Sequence, residues 1–469
     1  MARTSSEIRD LGTSADDRAL LRAFYTDLFV PAFVDADERE SLANIQRYLE
    51  LRAAGWYGPN NYHIRVLLDG DRVVGGTIAD YLAAPNVGVV EFLVTAPDRR
   101  ERGLGRRLLD DVEAALAEDA RLAGTPGLRA VVAEMNDPFH SSLARDSMDP
   151  FTRLLIWSRW GYLKLDFPYV QPALSAAQRP VASMLLAWKP MCESGDAVAA
   201  DTVKDVVHEY MRWAMRIEQP KGSAEFTSMA RHLDGRTKVA LLPLDHYAGY
   251  DRTRPLTIRE VTAADPDLPA VRRLYEASFR DRATALDPTA LGSEPGGVSR
   301  RGEDHVYHLW ALRSTPEAPV AGLASFFTLR NAGFGGYVAL APPLRRTGRL
   351  PLLLARIEAQ MVRDALGALG WYVECDDAVL ATLRRAGFHE VPISYRQPSL
   401  RPGGPSPALH LLYKPFGRVY APPTLTGAAL LEALRRIQQV VYAIARPEET
   451  AVYRELARQL HERAIVPLR

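Results

Sequence analysis

The stretch of this chain best suited to chemistry is Arg100-Glu101-Arg102-Gly103-Leu104-Gly105, which follows the strand-like run Gly88 to Pro97 and opens a helical pattern. A glycine-punctuated turn at a helix N-terminus offers unpaired N–H groups, a favourable dipole and room for phosphate oxygens to approach the backbone. Arg100 can add a charged donor to the same anion. The spacing is not that of a P-loop, because no Gly-Lys-Ser/Thr follows. It is not a Rossmann fingerprint either, since Leu108 stands where the third glycine would be.

The flanking pattern supplies the frame for this turn. Helices are expected near 15–30, with Ser14 and Asp16 as available caps, and near 36–54. Strands are expected near 62–68, 72–82 and 88–96, the first two joined by the hairpin signal Asp69-Gly70-Asp71. From Gly103 onward, Leu104, Leu108, Val112 and Leu116 fall on one stripe, the period of a helix packed on a sheet. A strand at 129–135, a helix near 151–160 and strands near 162–170 and 181–189 complete the unit.

These landmarks recur in the second half of the chain in the same order. Ile8-Arg9-Asp10 is answered by Ile258-Arg259-Glu260, and Arg100-x-x-Gly103 by Arg345-x-x-Gly348. Gly161-Tyr162 is answered by Gly387-Phe388, Tyr169-x-Gln171-Pro172 by Tyr395-x-Gln397-Pro398, and Lys189-Pro190 by Lys414-Pro415. So many ordered landmarks indicate a duplication, with domains expected at 1–250 and 251–469 and a boundary near Tyr250 to Pro255. A tail of helices follows each unit, near 199–217 and 223–233, and again near 424–445 and 447–462; its simplest role is packing.

Bulk properties bound the function. At 469 residues, two or three domains are the prior. A net charge of +1, with 47% hydrophobic and 25% charged residues, gives no sign of a nucleic-acid or membrane partner. Two cysteines, Cys192 and Cys375, make no disulfide framework, and no signal-peptide core or spanning run is present, so a cytoplasmic location is expected.

The loop, its preceding strand and the order of elements resemble the Gcn5-related N-acetyltransferases, the GNAT superfamily, with their Arg/Gln-x-x-Gly-x-Gly/Ala pyrophosphate loop. The resemblance spans about 5–190 and 256–415 and implies an α/β (α+β) fold: a mixed, mostly antiparallel sheet flanked by helices, here duplicated into an intramolecular pair. It implies acetyl-CoA or another acyl-CoA as co-substrate, with Arg100, Arg102, Gly103, Leu104, Gly105 and Arg106 around the pyrophosphate. A backbone N–H of Leu93, Val94 or Thr95 would polarise the thioester carbonyl. No metal is expected; His140 and its nearby aspartates lack ligand spacing.

By the same resemblance Glu91, on the central strand nine residues before Arg100, is the candidate base, with Glu134 as the alternative. The family often places a tyrosine acid four residues before its Gly-aromatic pair. Trp157 occupies that position here, leaving Tyr162, Ser158 and His140 as candidate acids. The first half carries an insertion at Asn136 to Pro150, where Asp137, His140, Arg145, Asp146 and Asp149 are candidates for acceptor recognition. In the second half Leu350 replaces the second loop glycine and Gly336 stands at the Glu91 position, so that half is expected to be degenerate. The function implied is acyl transfer to a small polar amine or amino-acid-like metabolite. The alternatives are a non-catalytic acyl-CoA sensor and another acyl-thioester reaction, such as decarboxylation.

Overall fold

The computed structural model describes the chain except residues 1–5, 193–194, 280–299, 302–303, 401–403, 418–423, 462, 464–465 and 469, and the side chains of 145, 300 and 301. The chain forms two compact units, Met1–Leu244 and Asp245–Arg469.

In the first unit the strands are β1 (Glu7–Asp10), β2 (Asn61–Asp69), β3 (Arg72–Leu82), β4 (Val87–Thr95), β5 (Ala130–Asn136), β6 (Leu163–Leu165), β7 (Tyr169–Gln171), β8 (Val181–Pro190), β9 (Ala197–Ala199) and β10 (Lys238–Pro243). The principal helices are α1 (Ala15–Phe24), α2 (Leu42–Ala53), α3 (Leu104–Leu122), α4 (Pro150–Arg159), α5 (Ala200–Trp213) and α6 (Ala224–Leu233). The sheet order is β1-β2-β3-β4-β5-β8-β6-β10-β9, with β7 paired to β8. Pairing is antiparallel except between β4 and β5. That crossover requires an intervening helix, and α3 supplies it.

Local chemistry sets the element boundaries. The Ser14 hydroxyl caps α1 by accepting from Asp17 N, and the Ser41 hydroxyl caps α2 by accepting from Asn44 N. The expected helix at 36–54 therefore begins only at Leu42, preceded by a short 3-10 turn at Ala36–Glu38. The expected helix at 15–30 loosens into a π turn at Tyr25–Phe29. The expected strand at 162–170 is broken into β6 and β7 around Asp166 and Phe167. Gly70, at φ +62, makes the β2–β3 turn.

One core packs α1, α2 and α3 through Phe24, Ile45 and Leu108 against β2 to β4. A second packs the tail helices α5 and α6, through Val203, Val207, Tyr210 and Met229, against Val89, Val132 and Trp188. The tail thus covers half of the sheet, and its strand β10 extends the sheet beside β6.

The second unit contains β11 (Thr257–Glu260), β12 (Arg300–Arg301), β13 (His305–Arg313), β14 (Gly322–Leu329), β15 (Ala332–Leu340), β16 (Gly370–Cys375), β17 (His389–Glu390), β18 (Tyr395–Arg396), β19 (Ala408–Pro415), β20 (Thr424–Leu425) and β21 (Val466–Pro467). Its main helices are α7 (Leu268–Phe279), α8 (Arg349–Arg363), α9 (Asp377–Arg385), α10 (Gly427–Val440) and α11 (Ala451–Leu460). The main sheet runs β11-β13-β14-β15-β16-β19-β17, the order of β1-β2-β3-β4-β5-β8-β6. Here β20 and β21 form a separate two-stranded sheet instead of extending the main one. Both units are mixed, mostly antiparallel sheets flanked by helices. Among the described residues no helix is long and apolar enough to cross a membrane.

Candidate active site

The parallel pairing of β4 and β5 runs from Val87↔Ala130 to Val90↔Ala133 and stops there. Beyond it the strands part, and the gap is a cavity of about 80 Å³ lined by residues that include Glu91, Leu93, Glu134, Asn136, Trp157 and Gln171. The β3–β4 register also shifts at this point: Ile78 pairs with Phe92 and Ala79 with Val90. Glu91 is the extra residue of this bulge, a device that re-aims a side chain out of the sheet's alternation. Thr77 Oγ1 holds the Phe92 carbonyl at 2.8 Å and fixes the bulge from the β3 side.

Carboxyl groups crowd this cavity. Burial, then the charge of Asp80, pushes the Glu91 carboxyl well above its ordinary range. Burial raises Glu134 to about 7, although the Tyr169 hydroxyl donates to its Oε1 and the Tyr210 hydroxyl to its Oε2 at 2.8 Å. Glu38 also rises to about 7, from burial and the nearby Asp35 charge. The cation of the lining, Arg153, is taken up by Asp146 at 2.7 Å. Asn136 Oδ1 and Gln171 Oε1 are buried without a donor among the described residues. The site is therefore rich in hydrogen-bond acceptors that lack donors.

Strand β4 leads directly to the loop. Gly103 caps α3 at φ +74, a left-handed position that favours glycine, and a Cβ there would meet nothing within 4 Å. The N–H groups of Leu104, Gly105 and Arg106 form the first helical turn and have no intrahelical acceptor. A Cβ on Gly105 would lie 3.4 Å from the Trp160 ring and 3.8 Å from Leu93 and Thr95, so the space beside it is narrow. Arg106 is engaged with Asp110 at 2.6 Å, while Arg100 and Arg102 have no ion-pair partner among the described residues. Val94 is buried, and Leu93 reaches the cavity. An open turn with two uncommitted guanidinium groups fits a pyrophosphate.

The other sequence candidates lie elsewhere. Tyr162 is fully buried and donates to Glu113 Oε1 at 2.9 Å, while Lys189 holds the other oxygen at 2.5 Å; it is not in the cavity lining. His140 sits on the surface with Nδ1 3.1 Å from Asp137, also outside the lining. Ser158 is absent from the lining too. Of the insertion, Asp146 reaches the cavity, whereas Asp149 caps α4 through Thr152 N and Asp137 stabilises the turn at Phe139 N. The Arg145 side chain lies outside the described residues. Among the described residues no cluster of His, Cys, Asp and Glu could hold a metal.

Sequence reasoning missed Asp80, Glu38 and Arg216. Asp80 carried a signal, as a lone acid in the apolar strand Ile78 to Leu82, but nothing local marked Arg216.

In the second unit the same bulge position falls on Gly336, whose neighbour Tyr337 donates its N–H to Ser325 Oγ at 2.9 Å. Gly348 caps α8 at φ +74 as Gly103 caps α3, but the Arg254 guanidinium lies over it and Leu350 stands in the first turn, where α3 has Gly105.

Comparison with known proteins adds a family. Residues 22–137 match the profile described as the acetyltransferase (GNAT) family. No curated protein matches the chain. Solved structures similar to it include the ribosomal-protein-S18-alanine N-acetyltransferase of Escherichia coli (15% identity, 41% of this chain and 97% of that one, TM-score 0.27). A GNAT family acetyltransferase from Elizabethkingia anophelis with acetyl-CoA bound aligns at 12% identity over 40% of this chain and 100% of that one (TM-score 0.26). A phosphinothricin acetyltransferase from Sinorhizobium meliloti aligns at 15% over 40% and 88% (TM-score 0.27). The match at residues 22–137 places an acetyltransferase (GNAT) domain, and with it an acyltransferase enzyme, in this chain.

Proposed function

We propose that the first unit transfers an acyl group from acyl-CoA directly to the nitrogen of a small amine, with Glu91 as the proton acceptor. The observation that carries this reading is the place of Glu91: the extra residue of a bulge, inside the gap between β4 and β5, on the strand that ends at the phosphate loop. The pyrophosphate sits on the first turn of α3, with Arg100 and Arg102 as charged donors. The unpaired edge of β4 beyond Val90 offers its N–H groups to the thioester oxygen.

The acceptor enters as an ammonium, because the donor-poor cavity of Glu38, Glu91, Asn136 and Gln171 calls for N–H donors. Glu91 takes one proton from it; the nitrogen lone pair attacks the carbonyl carbon; the C–S bond breaks. The second N–H proton ends on the thiolate sulfur, and the proton on the carboxyl returns to water. The insertion, through Asp146 and Arg153, shapes the acceptor side. The second unit, with Gly336, Leu350 and the Arg254-covered turn, is a degenerate copy that serves as a structural partner. Trp157, which lines the cavity where the resemblance expects a tyrosine, favours one competing reading, an acyl-CoA sensor without chemistry.

Glu91→Gln tests both. Loss of kcat by about 10²- to 10⁴-fold with acyl-CoA affinity retained supports transfer by Glu91. Unchanged turnover removes Glu91 as base, and absence of amine-dependent CoA release in the wild type leaves the sensor.

A further inference from the structure

Asp80, on β3, is 1% exposed, and its carboxyl adjoins that of Glu91. With both groups ionised, neither Asp80 oxygen meets a donor among the described residues; a proton on Glu91 supplies one. Two carboxyls in one dry place share a proton, because both cannot carry charge there.

Arg216 is the cation set against this pair. It stands three residues beyond the end of α5, at φ +59, a left-handed backbone uncommon for a side chain of this kind. Its guanidinium carbon lies 4.4 Å from the Tyr48 ring centroid and 4.8 Å from those of Trp56 and Tyr57. Its Nη2 donates to the Tyr57 hydroxyl, while Nε and Nη1 are buried without an acceptor among the described residues. An aromatic cage fixes the guanidinium without neutralising it, and its field falls on Asp80.

The second unit separates this arrangement from general architecture. It repeats the buried Glu134–Tyr169 contact as Glu374–Tyr395, and the Lys189–Glu113 pair as Lys414–Glu358. In contrast, the register position of Asp80 is held by Phe327, that of Glu91 by Gly336, and the left-handed residue after the helix is Ala443 at φ +52. The backbone is retained while all three side chains are gone together.

We propose that Arg216, supplied by the helical tail of the first unit, is a positioning residue that keeps the negative charge of the carboxyl pair on Asp80, so that Glu91 faces the acceptor. This rests on Glu91 being the base. As Glu91 takes the ammonium proton it passes its own to Asp80, so the pair goes from one proton to two and later releases one to water. The other groups facing the pair are Glu134 with Tyr169 and Tyr210, Glu40, and Tyr62 and His63 on β2. The field of His63 acts on Asp80 in the same direction as that of Arg216, and the charges of Glu134 and Glu40 raise Glu91, which also keeps the shared proton there.

The test is the pH profile of kcat for the full chain with acetyl-CoA and an amine it accepts. Removing the cation makes the pair hold its protons more tightly. Arg216→Gln should therefore move the acidic limb upward by about one pH unit. Arg216→Lys should bring it back, and Arg216→Gln should move it less in an Asp80→Asn background. A limb unmoved by Arg216→Gln, in an enzyme that Glu91→Gln inactivates, overturns this proposal alone; activity surviving Glu91→Gln overturns the base itself. ¹³C-carboxyl NMR of the wild type, assigned with Asp80→Asn, needs no Arg216 variant. One carboxyl of the pair still protonated at pH 7 supports the proposal, and both ionised overturns it.

Discussion

His63 Nε2 lies 2.7 Å from Asp119 Oδ2, tying β2 to α3 inside the first unit, and His308 repeats the contact with Asp364 at 3.1 Å in the second. Burial opposes the charge on each imidazole, but the flanking carboxylates prevail, and both histidines rise from 6.5 to about 9. A folded-state value above the ordinary one means the stabilisation is complete below pH 6.5 and is lost as pH climbs through about 9. Chemical denaturation between pH 6 and 10 should show a decline of at most ~3 kcal/mol per imidazole. His63→Gln should flatten the decline for the first unit; an unaltered slope would mean the imidazole is neutral when folded.

Gly105→Glu should abolish acetyl-CoA binding while leaving the fold intact. A carboxylate in the first turn of α3 suits the helix dipole but repels a pyrophosphate and fills the narrow space beside Trp160. Calorimetry of the wild type should count one site per chain. Two sites would show that Leu350 and Arg254 do not close the second loop.

Glu38 rises to about 7, so the acceptor meets more of its carboxylate as pH rises through that value. KM for the amine should fall from pH 6 to 8, while KM for acetyl-CoA stays level. In Glu38→Gln the fall should disappear; a persisting fall would mean that the neutral amine, and not the ammonium, is the form that binds.

Tyr169→Phe leaves the Glu134 carboxyl with one phenolic donor, and Tyr395→Phe does the same to Glu374, which is itself raised to about 7 by burial. Each should cost about 1–3 kcal/mol in denaturant unfolding. Only the first should alter kcat, since Glu134 lines the cavity. Equal kinetic effects would mean that the second unit contributes to turnover.

The elements were legible where patterning is local. The stripe from Leu104 to Leu116, the Asp69-Gly70 turn and the cap at Ser14 each declare themselves within a few residues. The repeated Lys-Pro and Tyr-x-Gln-Pro landmarks were visible, but their cause was not. Lys189 and Lys414 recur because each meets a buried glutamate from the long helix, and Tyr169 and Tyr395 because each holds a strand carboxyl. Such pairings join residues 21 to 76 positions apart, beyond any periodicity. Tyr162 looked like an acid beside a Gly-aromatic pair, yet its hydroxyl is spent on Glu113. Arg216 lay in a tail assigned to packing, which also describes most of that tail correctly: Val203, Val207 and Met229 do pack.

The bulge at Glu91 also makes the site intolerant of changes in chain length. Val90 pairs with Ala79 and Phe92 with Ile78 on either side of the bulge, so deleting Glu91 itself would leave an even ladder with its neighbours on their present faces and only the carboxyl gone. Deleting any other residue between Glu91 and Thr95, with the bulge kept, would instead move the rest of the strand by one position and turn its side chains to the opposite faces. Substitutions along β4 can be graded in effect, but such a change of length beyond the bulge would act like a frameshift in space, separating the proton acceptor from the phosphate turn in one step.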